Sequence, residues 1–302
     1  MQDFLDPYDF MLSEAAVVER LKRRDDIALD DHIVHAHLIY DLPGRTALSK
    51  IYNDYIRIAQ QADTPLLLFT PTWRTNQDRV ERSGISSTIN RDAVDFLYSL
   101  KQQENDTATL KIGGTIGCRN DCYRPEEALS ATEAARFHSW QIRQLVTGGV
   151  DFLIAVTIPS VEEALGIANA MAVTDKPYII SFVIGRDGKV LDGNSLVNAF
   201  DTIDTLAITP PLGYFVNCSY PAFLNPVTQP VAVFQRLLGM QANASSLDHS
   251  ELDDSMELKP EPVEAWGELM LQLNHDYGVK VLGGCCGTGS EHLEYLVNRN
   301  IV

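Results

Sequence analysis

Along this chain, short unbroken apolar runs alternate with longer stretches whose apolar residues recur at helical spacing. Leu66-Leu67-Leu68-Phe69-Thr70, bounded by Pro65 and Pro71, reads as a buried strand. Similar strands are predicted at Leu110 to Gly114, Asp151 to Val156, Tyr178 to Val183, 212–217, 237–240 and 279–282, and Ile27 to Val34 is expected to hold the first. Between 46 and 62, Leu48, Ile51, Tyr52, Tyr55, Ile56, Ala59 and Ala62 share one helical face. Pro125 opens a helix running to about Val146, and Val161 to Val173 forms the next. Ser13 reads as an N-cap for a helix ending in Arg20, Lys22, Arg23 and Arg24, its dipole complemented at both ends. That helix is expected to close the bottom of the molecule within an N-terminal extension, 1–26. About eight strands alternating with helices predict an α/β fold, a single-domain (β/α)8 TIM barrel with its chemistry at the strand C-termini. An open doubly wound sheet fits the same alternation.

The pattern breaks once, over 242–262, where Asp248, Glu251, Asp253, Asp254 and Glu257 precede Pro260 and Pro262. This segment reads as a solvated loop, with a flap over the active face as the functional alternative. The 41 acidic residues against 24 basic ones give a formal charge of −17, which argues against nucleic acid or anionic membrane as partners. No run is long and apolar enough to span a bilayer, and no signal peptide is visible. With five cysteines, an odd number, and no disulfide-like spacing, a cytoplasmic location is expected. An oligomer remains possible.

The candidate chemistry lies in cysteines at predicted strand ends. Val279 to Leu282 leads into Gly283-Gly284-Cys285-Cys286-Gly287-Thr288, and Leu212 to Val216 leads into Asn217-Cys218. Adjacent cysteines after a glycine turn can swing both thiols toward one point. Two buried, inert cysteines are the plain alternative. With Cys218 added, three thiolates and a vacant fourth position describe a catalytic zinc.

The Asn-Cys and Gly-Gly-Cys-Cys-Gly-Thr motifs resemble those of the homocysteine S-methyltransferase family, and the resemblance runs over roughly residues 45 to 298. It implies a zinc-dependent S-methyltransferase that moves an activated methyl group onto a small thiol, forming methionine where that thiol is homocysteine. Cys218, Cys285 and Cys286 would be both the metal ligands and, through the zinc, the catalytic residues. The implied partners are a small-molecule thiol and a small methyl donor; S-methylmethionine, S-adenosylmethionine, a betaine-like ammonium and a corrinoid methyl all suit the chemistry. Thr70 to Asn76 is similar to the family's Thr-Asn-Thr-Phe/Tyr segment, making Thr72 and Trp73 substrate-binding candidates, with Trp73 able to hold an onium methyl by its ring face. Gly117 to Tyr123, Thr157-Ile158-Pro159 with Glu162-Glu163-Ala164, Ser181-Phe182, Asp192-Gly193 and Asn243 match further stretches, and they add Thr157 beside Asn217 as substrate contacts.

Two departures stand out. The glycine-rich segment of the family's first strand end is aligned with Leu29 to His37, which has no glycine, and Val156 replaces the glutamate that pairs with the substrate's ammonium. Homocysteine is therefore expected not to be the best acceptor unless Asp30 or Asp31 rescues that contact. His32, His35 and His37, and Cys118 with Cys122, read as ordinary residues, with a second metal or redox site as the sharper alternative. A catalytically silent zinc-binding or thiol-sensing protein on the same barrel is the rival function.

Overall fold

Eight parallel strands close on themselves in chain order. The computed structural model describes residues 1–103, 109–247 and 259–300. The strands are β1 (Met11–Ser13), β2 (Leu66–Phe69), β3 (Leu110–Gly117), β4 (Phe152–Ile158), β5 (Tyr178–Phe182), β6 (Gly213–Asn217), β7 (Leu237–Ala242) and β8 (Val281–Gly284). β1 closes the ring, pairing Leu12 with Leu66 on one side and with Leu282 on the other. Among the described residues the helices are α1 (Gln2–Leu5), α2 (Val18–Lys22), α3 (Leu42–Gln61), α4 (Gln77–Ser83), α5 (Ile89–Gln103), α6 (Ala131–Gly148), α7 (Val161–Ala172), α8 (Leu196–Leu206), α9 (Val231–Arg236), α10 (Val263–Tyr277) and α11 (Ser290–Arg299). This is the (β/α)8 barrel.

The core has two shells, as this architecture requires. Met11, Leu67, Phe69, Phe152, Ile154, Ile179, Phe215 and Val281 fill the barrel interior. The larger cluster, with Leu12, Leu66, Leu68 and Ile112 on the strands, packs between the sheet and the helices. Alternation along Met11-Leu12 and Leu66-Leu67-Leu68-Phe69 is thus inward against outward, both faces apolar. Two glycines make room for the interior rings: a Cβ at Gly113 would stand 2.6 Å from Phe152, and one at Gly239 2.5 Å from Phe215.

The N-terminal region differs from expectation. Met11–Ser13 is the first barrel strand, so residues 1–26 are not a helical extension and Ser13 is not an N-cap. Three residues are too few for periodicity to reveal. Ile27 to Val34 forms no barrel strand. Asp30 Oδ1 accepts from the backbone N–H groups of His32 (2.8 Å) and Ile33 (2.9 Å), Asp30 and Val34 form an isolated bridge, and Val34 lies at φ 57°. An aspartate that satisfies its own following amides favours a turn over a ladder. The bottom is closed by α1, whose Leu5 joins the interior cluster.

The helix predicted from Pro125 is also divided. Pro125–Glu127 is a short 3-10 turn, and α6 starts afresh at Ser130, where Glu133 accepts from the Ser130 amide (3.2 Å) in a capping box. Of the acidic segment, 248–258 lies outside the described residues. Its first part, Ala242 to Ser245, is buried against the barrel's upper rim and is not a solvated loop.

Candidate functional site

At the C-terminal ends of the strands a cavity of about 190 Å³ opens, lined by residues that include Glu14, His35, Trp73, Val156, Thr157 and Cys218. Cys218 follows β6, and Cys285 and Cys286 follow β8. Their sulfurs all lie within 4.8 Å of one another. The sulfurs of Cys218 and Cys285 lie against each other, with Cα atoms 5.5 Å apart, and Cys286 is an exposed thiol.

Local geometry holds this cluster together. Gly283 and Gly284 sit where neither tolerates a side chain: a Cβ at Gly283 would meet Ser13 Oγ at 2.1 Å and the Ser13 carbonyl at 2.7 Å, and one at Gly284 would meet Thr288 Oγ1 at 2.1 Å. Gly287, at φ 80°, turns the chain back. Thr288 Oγ1 donates to the Cys285 carbonyl (2.6 Å), and Asn243 Oδ1 accepts from the Cys286 amide (3.1 Å).

On the β6 side, Cys218 (φ 52°) and Thr157 (φ 58°) both adopt left-handed backbone conformations, unfavourable for residues with a Cβ and most of all for a β-branched one. Thr157 lies where the register between β4 and β5 slips, and such a bulge re-aims a side chain. Asn217 binds both irregularities. Its Oδ1 accepts from the Thr157 amide (2.8 Å) and Ser181 Oγ (2.6 Å), and its Nδ2 donates to Thr157 Oγ1 (2.8 Å) and Cys218 Sγ (3.4 Å).

Three converging sulfurs suit a soft transition metal. Metal–sulfur bonds of about 2.3 Å in tetrahedral geometry place sulfurs about 3.8 Å apart, within the span observed here. The metal would take all three as thiolates.

The other expected substrate residues separate. Trp73, Thr157 and Asn217 line the cavity with Cys218, Cys285 and Cys286; Thr72, Asp30 and Asp31 do not. Thr72 is fully buried, its hydroxyl bonded to Thr70 Oγ1 (2.7 Å) and the Thr115 carbonyl (2.8 Å). Asp30 is spent on its own turn and Asp31 is exposed. The Trp73 ring carries the Arg74 guanidinium 4.2 Å from its centroid, so a cation already covers one face. Val156 lines the cavity and brings no charge.

Several lining residues escaped the sequence reading, Glu14, Glu19, Thr70 and Gln241 among them. Glu14, directly after β1, is buried, and its Oε2 accepts from the Phe69 amide at 2.7 Å. Desolvation pushes its carboxyl up to about 8, against the lowering effect of that hydrogen bond. Thr70 and Gln241 also reach the cavity. Of the three histidines only His35 lines it; burial, with His37 nearby, depresses it to about 3, so it is neutral there.

Cys118 and Cys122 are both buried and stand outside the sulfur cluster. Burial pushes the Cys118 thiol up to about 12 and that of Cys122 still higher, which leaves no thiolate at neutral pH. Replacing both with serine is expected to leave metal content and thiol reactivity of the cavity unchanged. A metal equivalent lost on this double change, measured by elemental analysis, would place a second site there.

A family model described as homocysteine S-methyltransferase matches residues 11–299, starting at the first residue of β1. Homocysteine S-methyltransferase YbgG of Bacillus subtilis is 22% identical over 320 residues, covering 97% of this chain and 95% of that protein. Among solved structures, the homocysteine methyltransferase MmuM of Escherichia coli in its metallated form superposes with a TM-score of 0.76 at 19% identity, covering 99% of each chain. Its oxidized form gives 0.74 at 18% identity, over 98% of each.

Proposed function

Because the chain belongs to the homocysteine S-methyltransferase family, we propose that it is a zinc-dependent methyltransferase that methylates a small thiol. The observation that carries this reading is the convergence of Cys218, Cys285 and Cys286 at the mouth of a small cavity at the strand C-termini. Zinc held by these three thiolates would supply the Lewis acidity that keeps an acceptor thiol, ordinarily near pKa 8.5, deprotonated at pH 7. The relative MmuM has a metallated form, which supports a resident metal.

The chain's own residues divide the rest of the work. Asn217 Nδ2 and Thr157 Oγ1 point hydrogens at Cys218 Sγ, at 3.4 and 3.9 Å, and so stabilise it as a thiolate. The buried walls, Phe69, Val156 and Tyr52 among them, exclude water from the acceptor and the donor. In the transfer itself the acceptor sulfur attacks the methyl carbon of a positively charged donor. A sulfur–carbon bond forms, the carbon–onium bond breaks, and its electron pair leaves on the neutral donor product. No side chain need move a proton in that step.

The test is direct. Reduced, zinc-loaded protein is incubated with homocysteine or another small thiol and with S-methylmethionine, S-adenosylmethionine or glycine betaine in turn, and thioether products are sought by mass spectrometry. Product formation with at least one donor is expected. Thiol binding without turnover on any donor would overturn the reading and favour a thiol sensor.

A further inference from the structure

We propose that Glu163 and Arg74 grip opposite ends of one peptide group, Cys118–Arg119, and through it fix the Trp73 ring in the cavity wall. Both are positioning residues. Their effect on methyl transfer rests on the reading of the cavity as a methyltransferase site.

The two residues come from different parts of the barrel. Glu163 lies in the first turn of α7 and is 1% exposed. Its Oε1 accepts from the Arg119 amide at 2.9 Å, and its Oε2 from the Leu129 amide at 3.3 Å. One carboxyl group thus holds both ends of the loop between β3 and α6. His138 Nε2, 3.1 Å from Oε1, braces it from α6. On the far side of the same peptide, Arg74 Nη1 donates to the Cys118 carbonyl at 3.3 Å and to the Asn120 carbonyl at 2.5 Å. The Cys118 carbonyl and the Arg119 amide belong to one planar unit, so carboxylate, peptide and guanidinium form a single hydrogen-bonded series. Opposite charges at its two ends strengthen each link.

Arg74 in turn covers Trp73, its guanidinium 4.2 Å from the ring centroid. Gly117 at the end of β3 gives the ring its seat. A Cβ there would stand 2.5 Å from Trp73 Cδ1 and 2.6 Å from Nε1, and the Gly117 amide donates to the Trp73 carbonyl at 3.1 Å. Trp73 lines the cavity beyond β2, four strands round the ring from β6, which leads into Cys218. A thiol held at the sulfur cluster and the methyl donor that approaches it must fill the space between these walls. Packing alone does not call for a buried carboxyl where α6 meets α7. The helices already close on Gly166, where a Cβ would meet the Ala131 carbonyl at 2.3 Å. A charged group taken from water there is costly unless its partners are in place. The partners of Glu163 are the two loop amides and His138.

The test reads Trp73 itself. The chain has three tryptophans, and protein labelled with a fluorinated tryptophan gives a fluorine resonance for each. Trp73→Phe and Trp140→Phe assign the signals. In reduced, zinc-loaded Glu163→Gln and Arg74→Met, the Trp73 resonance is expected to shift or broaden. That of Trp266, buried against His292 on α11, should stay. Glutamine keeps the side-chain volume but turns one acceptor into a donor facing a loop amide. Kinetics follow with homocysteine and whichever of S-methylmethionine, S-adenosylmethionine and glycine betaine is turned over. KM for the donor should rise at least about fivefold in each variant, with kcat changed by less than about twofold. The double variant should be no worse than the poorer single, because both changes cut one series. Additive losses, or a Trp73 resonance unmoved in both variants, overturn the proposal. So does movement of Trp266 together with Trp73, which marks general loosening. Where Glu163→Gln does not fold, hydrogen exchange in Arg74→Met decides: the segment around Arg119 should exchange faster, and protection equal to wild type overturns the series. If no donor is turned over, the fluorine spectra still decide the positioning, and the methyltransferase reading alone falls.

Discussion

Replacing any one of Cys218, Cys285 or Cys286 with serine is expected to empty the protein of metal and abolish methyl transfer. A three-thiolate site divides its binding energy among few ligands. Structural zinc in small cysteine and histidine sites is bound with about 10–16 kcal/mol, so a third of the protein donor set corresponds to several kcal/mol. That is at least two to three orders of magnitude in affinity, enough to strip the ion during dialysis against a weak chelator. The fold should not follow. All three residues stand beyond strand ends, outside the two apolar clusters that hold the barrel, and the melting temperature of the metal-free variants should match that of metal-free wild type within a few degrees. Elemental analysis after dialysis decides the point. Full occupancy in one variant would remove that residue from the site.

Much of this architecture could be read from the chain, and the failures share a cause. The apolar runs from Leu66 to Leu282 each overlap a barrel strand because parallel strands buried on both faces must be continuously apolar. The three cysteines were legible for a different reason: glycine doublets and an Asn-Cys after apolar runs mark strand ends, where a barrel collects its chemistry. The first strand was not legible. Met11-Leu12-Ser13 is held by its neighbours β2 and β8, and long-range pairing of so short a segment leaves no local signal. The apolar residues on either side of Asp30 to His32 within Ile27 to Val34 offered a more visible local pattern, which the Asp30 turn defeats.

That one misplacement carried the site reading with it. Shifting the first strand end from Ser13 to Val34 made Asp30 and Asp31 substrate candidates and hid Glu14. A usable signal was present: Ala15, Ala16 and Val17 follow Glu14 without a polar break, an odd opening for a surface helix and a natural one for a strand end turning over a core. Thr72 failed otherwise. Its segment was placed at the right strand end, but the chain turns beyond Phe69, so that Trp73 lines the cavity while Thr72 binds Thr70 and Thr115 within the wall.

Asn217→Ala is expected to cost the protein both stability and metal affinity, and Asn217→Asp to separate the two. The asparagine side chain makes four hydrogen bonds at once, to the Thr157 amide, Thr157 Oγ1, Ser181 Oγ and Cys218 Sγ. Two of its partners, Thr157 and Cys218, hold left-handed backbone conformations that cost roughly 1–3 kcal/mol each and persist only where the surroundings enforce them. Alanine leaves the buried Thr157 amide and Ser181 hydroxyl unpaired, at about 1–3 kcal/mol per group, and frees Cys218 to relax. A loss of several kcal/mol in unfolding free energy is expected, with metal binding weakened at least the 10–100-fold typical of a lost outer-shell partner. Aspartate keeps acceptors for the Thr157 amide and Ser181, so most of the stability should survive in the metal-free protein. It cannot donate to Cys218 Sγ, and it sets a negative charge beside thiolates that the metal must gather. Its metal affinity should therefore fall at least as far as that of the alanine variant, although its fold is firmer. Denaturant melts of the metal-free proteins, paired with competition against a chromophoric chelator, measure the two effects separately. Equal losses of stability in both variants, with aspartate binding metal as wild type does, would show that Asn217 only packs and does not position Cys218.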